Sequence, residues 1–279
     1  MSGYRAVMDF VLADGGRIPA IGIGTWPMND NEAERAVADA IALGYRLVDT
    51  AFAYGNETGV GRGIAVSGLP RDELFITTKF NKDSHSVHGV AHAWQDSVHK
   101  LGVDYVDLML IHWPVPQLGR FVEAWEGLLT IQGQGKVRHI GVSNFLPEHL
   151  EPIIAATGVA PVLNQLQITP RYQQAEARAY NTALGIHTQA WSPLGQGTGL
   201  LDIAIIGKLA DKYGITRGQV VLAWDLCQGM SAIPKSSHRG RLVENLAATS
   251  IVFEQDDIDA LSAIDASEPD IKHPNSFGH

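Results

Sequence analysis

A single cysteine, Cys227, stands in the 279-residue chain, so no disulfide can close within it and nothing asks for an oxidising compartment. No apolar run reaches the roughly 18 residues that a membrane-spanning helix requires. Met1-Ser2-Gly3-Tyr4-Arg5 leads directly into an alternating pattern instead of a charged-then-apolar leader. A cytoplasmic protein, neither secreted nor membrane-inserted, is the expectation. Basic residues are outnumbered, 21 Lys and Arg against 30 Asp and Glu, and the net charge of -9 argues against general affinity for nucleic acid or anionic lipid. One local phosphate pocket remains compatible with it. The dinucleotide fingerprint is also missing: after Gly22 and Gly24 the third glycine position holds Pro27, and Gly59-Val60-Gly61 and Gly195-Gln196-Gly197 lead to Ile64 and Leu200. No P-loop, Tyr-x-x-x-Lys or His-Glu-x-x-His occurs. His88, His92 and His99 share a helix face only in part, without a carboxylate at ligand spacing, so no metal site is expected. The ten histidines other than His112 are expected on surface helices or loops.

What is present is enough apolar residue for a sizeable core, 45% hydrophobic against 18% charged, and no Pro/Gly/Ser linker to divide it. One domain over residues 1–279 is expected, with 267–279 a loop tail that either folds over a rim or stays loose. Three apolar runs end in an ionisable residue: Leu47-Val48-Asp49, Leu74 to Lys79, and Val106 to His112. A carboxylate is costly to bury without a partner, so Asp49 needs a cation nearby. The run ends are 30 and 33 residues apart, the length of a strand, a crossover helix and two loops. Consecutive strands of a parallel barrel are neighbours, so Asp49, Lys79 and His112 should converge at its C-terminal rim.

The rest of the pattern repeats this unit. Ala6 to Leu12 and Arg17-Ile18, flanking Asp14-Gly15-Gly16, predict a β-hairpin. Further strands are predicted at Ile21 to Trp26, His139 to Val142, Val162 to Gln165, Ile186 to Trp191 and Ser231 to Pro234. Helices are predicted at Asn31 to Leu43, Glu57 to Ser67, Val90 to Leu101, Phe121 to Gln134, Leu146 to Thr157 and Ala175 to Leu184. Two more, Ala204 to Tyr213 and Arg217 to Gln228, lie between the last two strands, so one is extra to the repeat. The fold class is α/β: a (β/α)8 TIM barrel with an N-terminal β-hairpin and extra helices near the C-terminus.

Six motifs carry a resemblance: Gly44-Tyr45-Arg46-Leu47-Val48-Asp49-Thr50-Ala51, Tyr54-Gly55-Asn56-Glu57, Thr78-Lys79, Ile111-His112-Trp113-Pro114, Gly141-Val142-Ser143-Asn144-Phe145 and Ile233-Pro234-Lys235-Ser236. In this order and spacing the chain resembles an aldo-keto reductase, and among these the bacterial 2,5-diketo-gluconate reductase branch. The resemblance implies a barrel that binds NADP(H) and reduces a small aldehyde or ketone. Tyr54 would be the proton donor, Lys79 would draw its phenol from near 10 toward neutrality, Asp49 would fix the ammonium, and His112 would orient the carbonyl. Ser143, Asn144 and Gln165 offer neutral donors and acceptors suited to a carboxamide. The family uses the matching residues on nicotinamide, with Trp191 giving an aromatic face. Gln167 and Thr169 replace the Glu and His that close relatives usually carry.

Trp26, Phe52 and Trp113 lie near the catalytic strand ends and predict an aromatic substrate wall, with Phe80 a weaker member. Lys235, Ser236 and Ser237 are expected where a strand runs into a helix whose free amides suit a phosphate. Arg241, Glu244 and Asn245 are spaced to share the face of that helix; in the family the matching residues hold the adenosine 2′-phosphate and adenine. The partner expected is a small-molecule carbonyl compound, with the protein a monomer. Two rivals stay open: a barrel aldolase or isomerase using Lys79 as a Schiff base, and a non-catalytic redox-sensing subunit.

Overall fold

Strands covered on both faces need apolar residues throughout, and the runs around Lys79 and Leu108 meet that need: Phe75–Phe80 and Val106–Ile111 are buried at every position. The computed structural model, which describes residues 9–266 and 273–278, places them as the third and fourth of eight strands in a parallel barrel. In chain order the elements are β1 (Asp9–Val11), β2 (Arg17–Pro19), β3 (Ile23–Gly24), α1 (Asp30–Ala42), β4 (Leu47–Asp49), α2 (Glu57–Ser67), β5 (Phe75–Phe80), α3 (Val87–Leu101), β6 (Val106–Ile111), α4 (Phe121–Gly133), β7 (Val137–Ser143), α5 (Pro147–Thr157), β8 (Leu163–Gln167), α6 (Ala175–Ala183), β9 (His187–Trp191), α7 (Ala204–Tyr213), α8 (Arg217–Cys227), β10 (Ser231–Ile233), α9 (Arg239–Ala247) and α10 (Gln255–Ser262).

Strands β3 to β10 pair with their sequence neighbours, and bridges Ile21 to Ala232 and Gly24 to Lys235 close the ring between first and last. Gly24 permits that closure, because a Cβ there would meet the carbonyl oxygen of Ile233 at 2.6 Å. The glycine pair that fails as a dinucleotide fingerprint thus serves the barrel seam.

The antiparallel hairpin β1–β2 sends Leu12 and Ile18 into a cluster with Leu47, Leu108 and Leu163, which plugs the lower, N-terminal end of the barrel. Ala6 to Met8 of the predicted hairpin lie outside the described residues. A second, larger cluster fills the layer between barrel and helices, with Trp125 and Trp224 fully buried in it. Helix α3 starts a turn earlier than the apolar period indicates, because Ser86 caps it by accepting the Gly89 N–H at 2.9 Å. Helix α10 has no counterpart among the predicted elements. Its acidic first turn is tied to α7 through Lys212, 2.6 Å from Glu254 and 2.7 Å from Asp257, and Leu261 is its buried anchor. Among the described residues no helix is long and apolar enough to cross a membrane.

Candidate active site

Parallel pairing sets the three ionisable strand ends side by side. Asp49 closes β4, Lys79 lies one residue before the end of β5, and His112 follows β6. The Lys79 side chain is fully buried, and its Nζ lies 2.5 Å from Asp49 Oδ1, 3.0 Å from the Thr50 carbonyl and 3.3 Å from Tyr54 Oη. Tyr54 reaches this point from a short helical turn, Phe52–Tyr54, that ends on Gly55 in the left-handed region at φ 66°. Its ring meets that of His112 edge-on, centroids 5.6 Å apart. The second oxygen of Asp49 accepts the Gln165 amide N–H at 2.7 Å.

Burial pushes the Tyr54 phenol up while Lys79 pulls it down, and burial prevails, so the group sits above its ordinary value. The sequence-based expectation of a phenol drawn toward neutrality is corrected: at the half-buried edge of the cavity the phenolate still loses more solvation than one paired ammonium returns. Burial also raises Asp49, against the pull of Lys79 and Gln165. Desolvation alone would lower Lys79, yet Asp49 and Tyr54 together outweigh it and the ammonium is held above its usual range.

The cluster opens into a cavity of about 700 Å³. Ser143, Asn144, Gln165 and Trp191 line it on one side, from β7, β8 and β9. Asn144, in the left-handed region at φ 62°, donates to the His112 carbonyl at 3.0 Å and accepts Trp191 Nε1 at 2.9 Å. Ser143 Oγ donates to the Gln165 carbonyl at 2.8 Å. Trp26 and Trp113 also line the cavity, the first about half exposed and the second buried with its indole N–H lacking an acceptor. Two predicted wall residues do not border it. Phe52 turns its ring under Lys100, whose Nζ lies 4.0 Å from the centroid, and Phe80 is buried behind the strand against His85. A position near a strand end does not decide which way an aromatic ring points.

Lys235 borders the cavity, and Ser236 is buried beside it while Ser237 is exposed. The helix predicted to begin at the two serines begins instead at Arg239, and Ser236 Oγ accepts the His238 N–H at 3.1 Å before the first turn. On α9 Arg241 and Glu244 are exposed, whereas Asn245 is buried with its amide nitrogen lacking a partner. The expected common face therefore divides at Asn245, which turns inward.

Several contributors carry no marking in the sequence. The loop Ser192-Pro193-Leu194 with Gln196 lines the cavity, and Phe277 from the tail stacks edge-on against Trp113 at 4.8 Å. The tail is held by Gln117 at the Asn275 carbonyl and by Asn275 Nδ2 on Glu148 at 2.6 Å, so its described part, 273–278, folds over the rim. Asn56 is fully buried and ties the loops after β3 and β4 together, donating to Thr25 and Met28 carbonyls at 3.0 and 2.9 Å and accepting from Thr50. Gln167, the last residue of β8, and Thr169 in the loop after it are both buried, and Thr169 Oγ1 accepts the Tyr172 N–H at 3.1 Å. His85 and His149 are buried, not on the surface. His85 lies in a polar stretch that gives no sign of this, whereas His149 shares the apolar face of α5 with Leu150 and Ile153.

Residues 20–266 match the model of the Aldo/keto reductase family. Methylglyoxal reductase DkgA of Escherichia coli is 41% identical over 268 residues, which span 96% of this chain and 97% of the relative. An aldo-keto reductase of Mycolicibacterium smegmatis is 42% identical, over 95% and 96% of the two chains. Among solved structures, a Gox0644 mutant in complex with NADPH superposes with a TM-score of 0.93 at 39% identity, covering 98% of this chain and 99% of the other. The aldo-keto reductase of Bombyx mori in complex with NADP superposes at 0.90 with 32% identity and 95% coverage of both. With a family model across most of its length and near full-length relatives above 40% identity, the chain belongs to the aldo/keto reductase family.

Proposed function

We propose that the protein is an NADPH-dependent carbonyl reductase in which Tyr54 delivers the proton, acting on small aldehydes or ketones of the size of methylglyoxal. The observation that carries this reading is the buried Asp49–Lys79 pair reaching Tyr54, which with His112 borders a 700 Å³ cavity walled by Trp26, Trp113 and Trp191. A polar buried group without a partner costs about 1–3 kcal/mol, so the amide nitrogen of Asn245 and the indole N–H of Trp113 support a site built to receive ligands. Ser143, Asn144, Gln165 and Trp191 would hold the nicotinamide end of the coenzyme, and Lys235, Ser236, Ser237, Arg241, Glu244 and Asn245 its adenosine end. When bound, the reduced nicotinamide supplies the hydride.

The chain's own residues handle the proton. A phenol held above its ordinary value is protonated at neutral pH, as a donor must be. As negative charge builds on the carbonyl oxygen, Tyr54 releases its proton there, and the phenolate left behind faces the Lys79 ammonium at 3.3 Å. Asp49 keeps that ammonium in place, and His112 orients the oxygen. A Schiff-base role for Lys79 would need a neutral amine, whereas Asp49 at 2.5 Å holds it cationic. The same reading takes the chain as one barrel domain and as a cytoplasmic monomer. Tyr54→Phe keeps the ring and removes the proton. It should lower the rate of NADPH consumption with small carbonyl compounds by about two orders of magnitude and leave coenzyme affinity nearly intact. Turnover close to that of the unmodified protein would remove Tyr54 from the chemistry.

A further inference from the structure

Below the cluster, neutral polar residues occupy strand positions where apolar side chains would fill the barrel more cheaply. In register, Gln165 of β8 faces Gln189 of β9, which faces Ser231 of β10, and register partners of neighbouring strands point to the same side. All are buried, Gln189 and Ser231 completely.

Their hydrogen bonds run in one direction. His187, at the start of β9, has its ring 5.0 Å from that of Phe10 in the hairpin. Its Nε2 accepts the Ser231 backbone N–H at 3.3 Å, so that nitrogen carries a lone pair and no proton. The Ser231 hydroxyl, 3.0 Å away, therefore donates to it and is left to accept, which it does from Gln189 Nε2 at 3.1 Å. The Gln189 carbonyl oxygen must then face Gln165, which meets it with an N–H at 2.7 Å. That settles the Gln165 amide: its other N–H points at Asp49 Oδ2, 2.7 Å away. Turned over, Gln165 would present an oxygen to a carboxylate.

Resting on the carbonyl-reductase reading above, we propose that Gln189 is a positioning residue for the reaction: by fixing the orientation of Gln165 it holds the Asp49 carboxylate where it keeps Lys79 against Tyr54. Gln189 touches neither the cavity nor the reacting groups. Its influence passes through one amide, and the feature that matters is an acceptor directed at Gln165.

Two substitutions separate this from a packing role. Gln189→Met keeps the length and removes both polar ends, while Gln189→Glu, held as the neutral acid at this fully buried position, keeps an oxygen acceptor toward Gln165 and a hydroxyl donor toward Ser231. With purified full-length protein, NADPH and methylglyoxal as probe, Gln189→Met should lower kcat about tenfold with KM changed by less than about twofold. The apparent pKa of alcohol oxidation, which reports the Tyr54–Lys79–Asp49 group, should move by at least about half a pH unit. Gln189→Glu should return both to near the unmodified values. A folded Gln189→Met protein with unchanged kcat and pH profile, or a Gln189→Glu protein as impaired as the methionine variant, would overturn the proposal. Should Gln189→Met fail to fold, Ser231→Ala frees the Gln189 amide to turn, and the same displacement of the pH profile, smaller in size, is expected. An unchanged profile there overturns it equally. Absence of turnover in the unmodified protein would instead sink the carbonyl-reductase reading, and this proposal with it.

Discussion

Asp49 and Asp107 are both carboxylates about 1% exposed, two strands apart in the same barrel, and they are surrounded in different ways. Asp107, second residue of β6 at the lower end, takes Arg71 at 2.6 Å, Arg138 at 2.9 Å and the Ile76 backbone N–H at 2.8 Å. Both guanidiniums also stack on Tyr105, at 4.0 and 4.5 Å from its ring centre. Asp49, at the upper end, has one ammonium and one amide, and that ammonium reaches on to a phenol at the edge of a cavity. Burial and a cationic partner are therefore common to both and do not distinguish them. Guanidinium does not release its proton in a protein, so the lower cluster can only clamp; the upper one contains groups that can exchange charge with a ligand.

The largest effect that tests this contrast is on stability. Asp107→Ala leaves the partly buried Arg71 guanidinium without its carboxylate and the buried Ile76 backbone N–H without an acceptor; breaking a fully buried pair costs about 3–5 kcal/mol. Arg138 is half exposed, so about 3 kcal/mol is the expected loss, read from urea unfolding. Turnover per folded molecule should stay unchanged. A stable variant with impaired catalysis would show that the lower cluster belongs to the site.

This pair also shows what the sequence can disclose. Asp49, Lys79 and His112 stand out because each comes at or just past the end of an apolar run, where a parallel barrel collects its chemistry. Asp107 is hidden inside such a run, and its partners Arg71 and Arg138 are 36 and 31 residues away with no period linking them. The order of elements was legible from the repeat, but side-chain direction was not: Phe52 and Phe80 sit at promising positions and point elsewhere. Ser236 and Ser237 look like a helix cap, yet the first turn waits until Arg239, because the serine hydroxyl is engaged one step earlier by the His238 N–H. Gln189 reads as the last of three polar residues, His187-Thr188-Gln189, in a strand. Only the register shows that it meets Gln165.

Acid sharpens the comparison, because each end of the barrel holds a neutral imidazole. His85, just beyond β5 at the upper end, and His187, beneath the hairpin at the lower end, are both pushed down by burial to about 4 from an ordinary 6.5. Between those values the unfolded chain binds more protons than the folded one, so stability is complete above about pH 6.5 and falls as pH drops toward 4. The full shift at one site corresponds to about 3 kcal/mol. Both ring nitrogens of His85 are buried without partners, so His85→Phe removes a titrating group and no hydrogen bond. It should leave stability at pH 7 within about 1 kcal/mol and reduce the loss on going to pH 4.5. Urea midpoints at the two pH values decide it. The same acid sensitivity in variant and unmodified protein would place the proton uptake elsewhere.

The smallest effect concerns a third kind of charge, exposed and waiting for a partner. Arg239 is engaged by Asp39 at 2.8 Å, while Lys235 borders the cavity and Arg241 stands on the outer face of α9, each at the surface where water screens it. Neither has the enclosure that gives Lys79 its strength, so the two together should add discrimination more than raw affinity. A 2′-phosphate carries charge that both can meet, Lys235 as a point charge and Arg241 through two N–H groups or by stacking on adenine. Preference for NADPH over NADH of at least about tenfold follows, equivalent to about 1.4 kcal/mol. Lys235→Gly combined with Arg241→His should narrow the gap, chiefly by weakening NADPH, and leave NADH nearly where it was. Because exposed charges are screened, the gap in the unmodified protein should also shrink as salt is raised, unlike any property of the Asp49–Lys79 pair. Tryptophan quenching titrations with both coenzymes, at low and moderate salt, measure this directly. Equal dissociation constants in the unmodified protein would show that Lys235 and Arg241 do not read the phosphate, leaving the coenzyme to be chosen elsewhere along the rim.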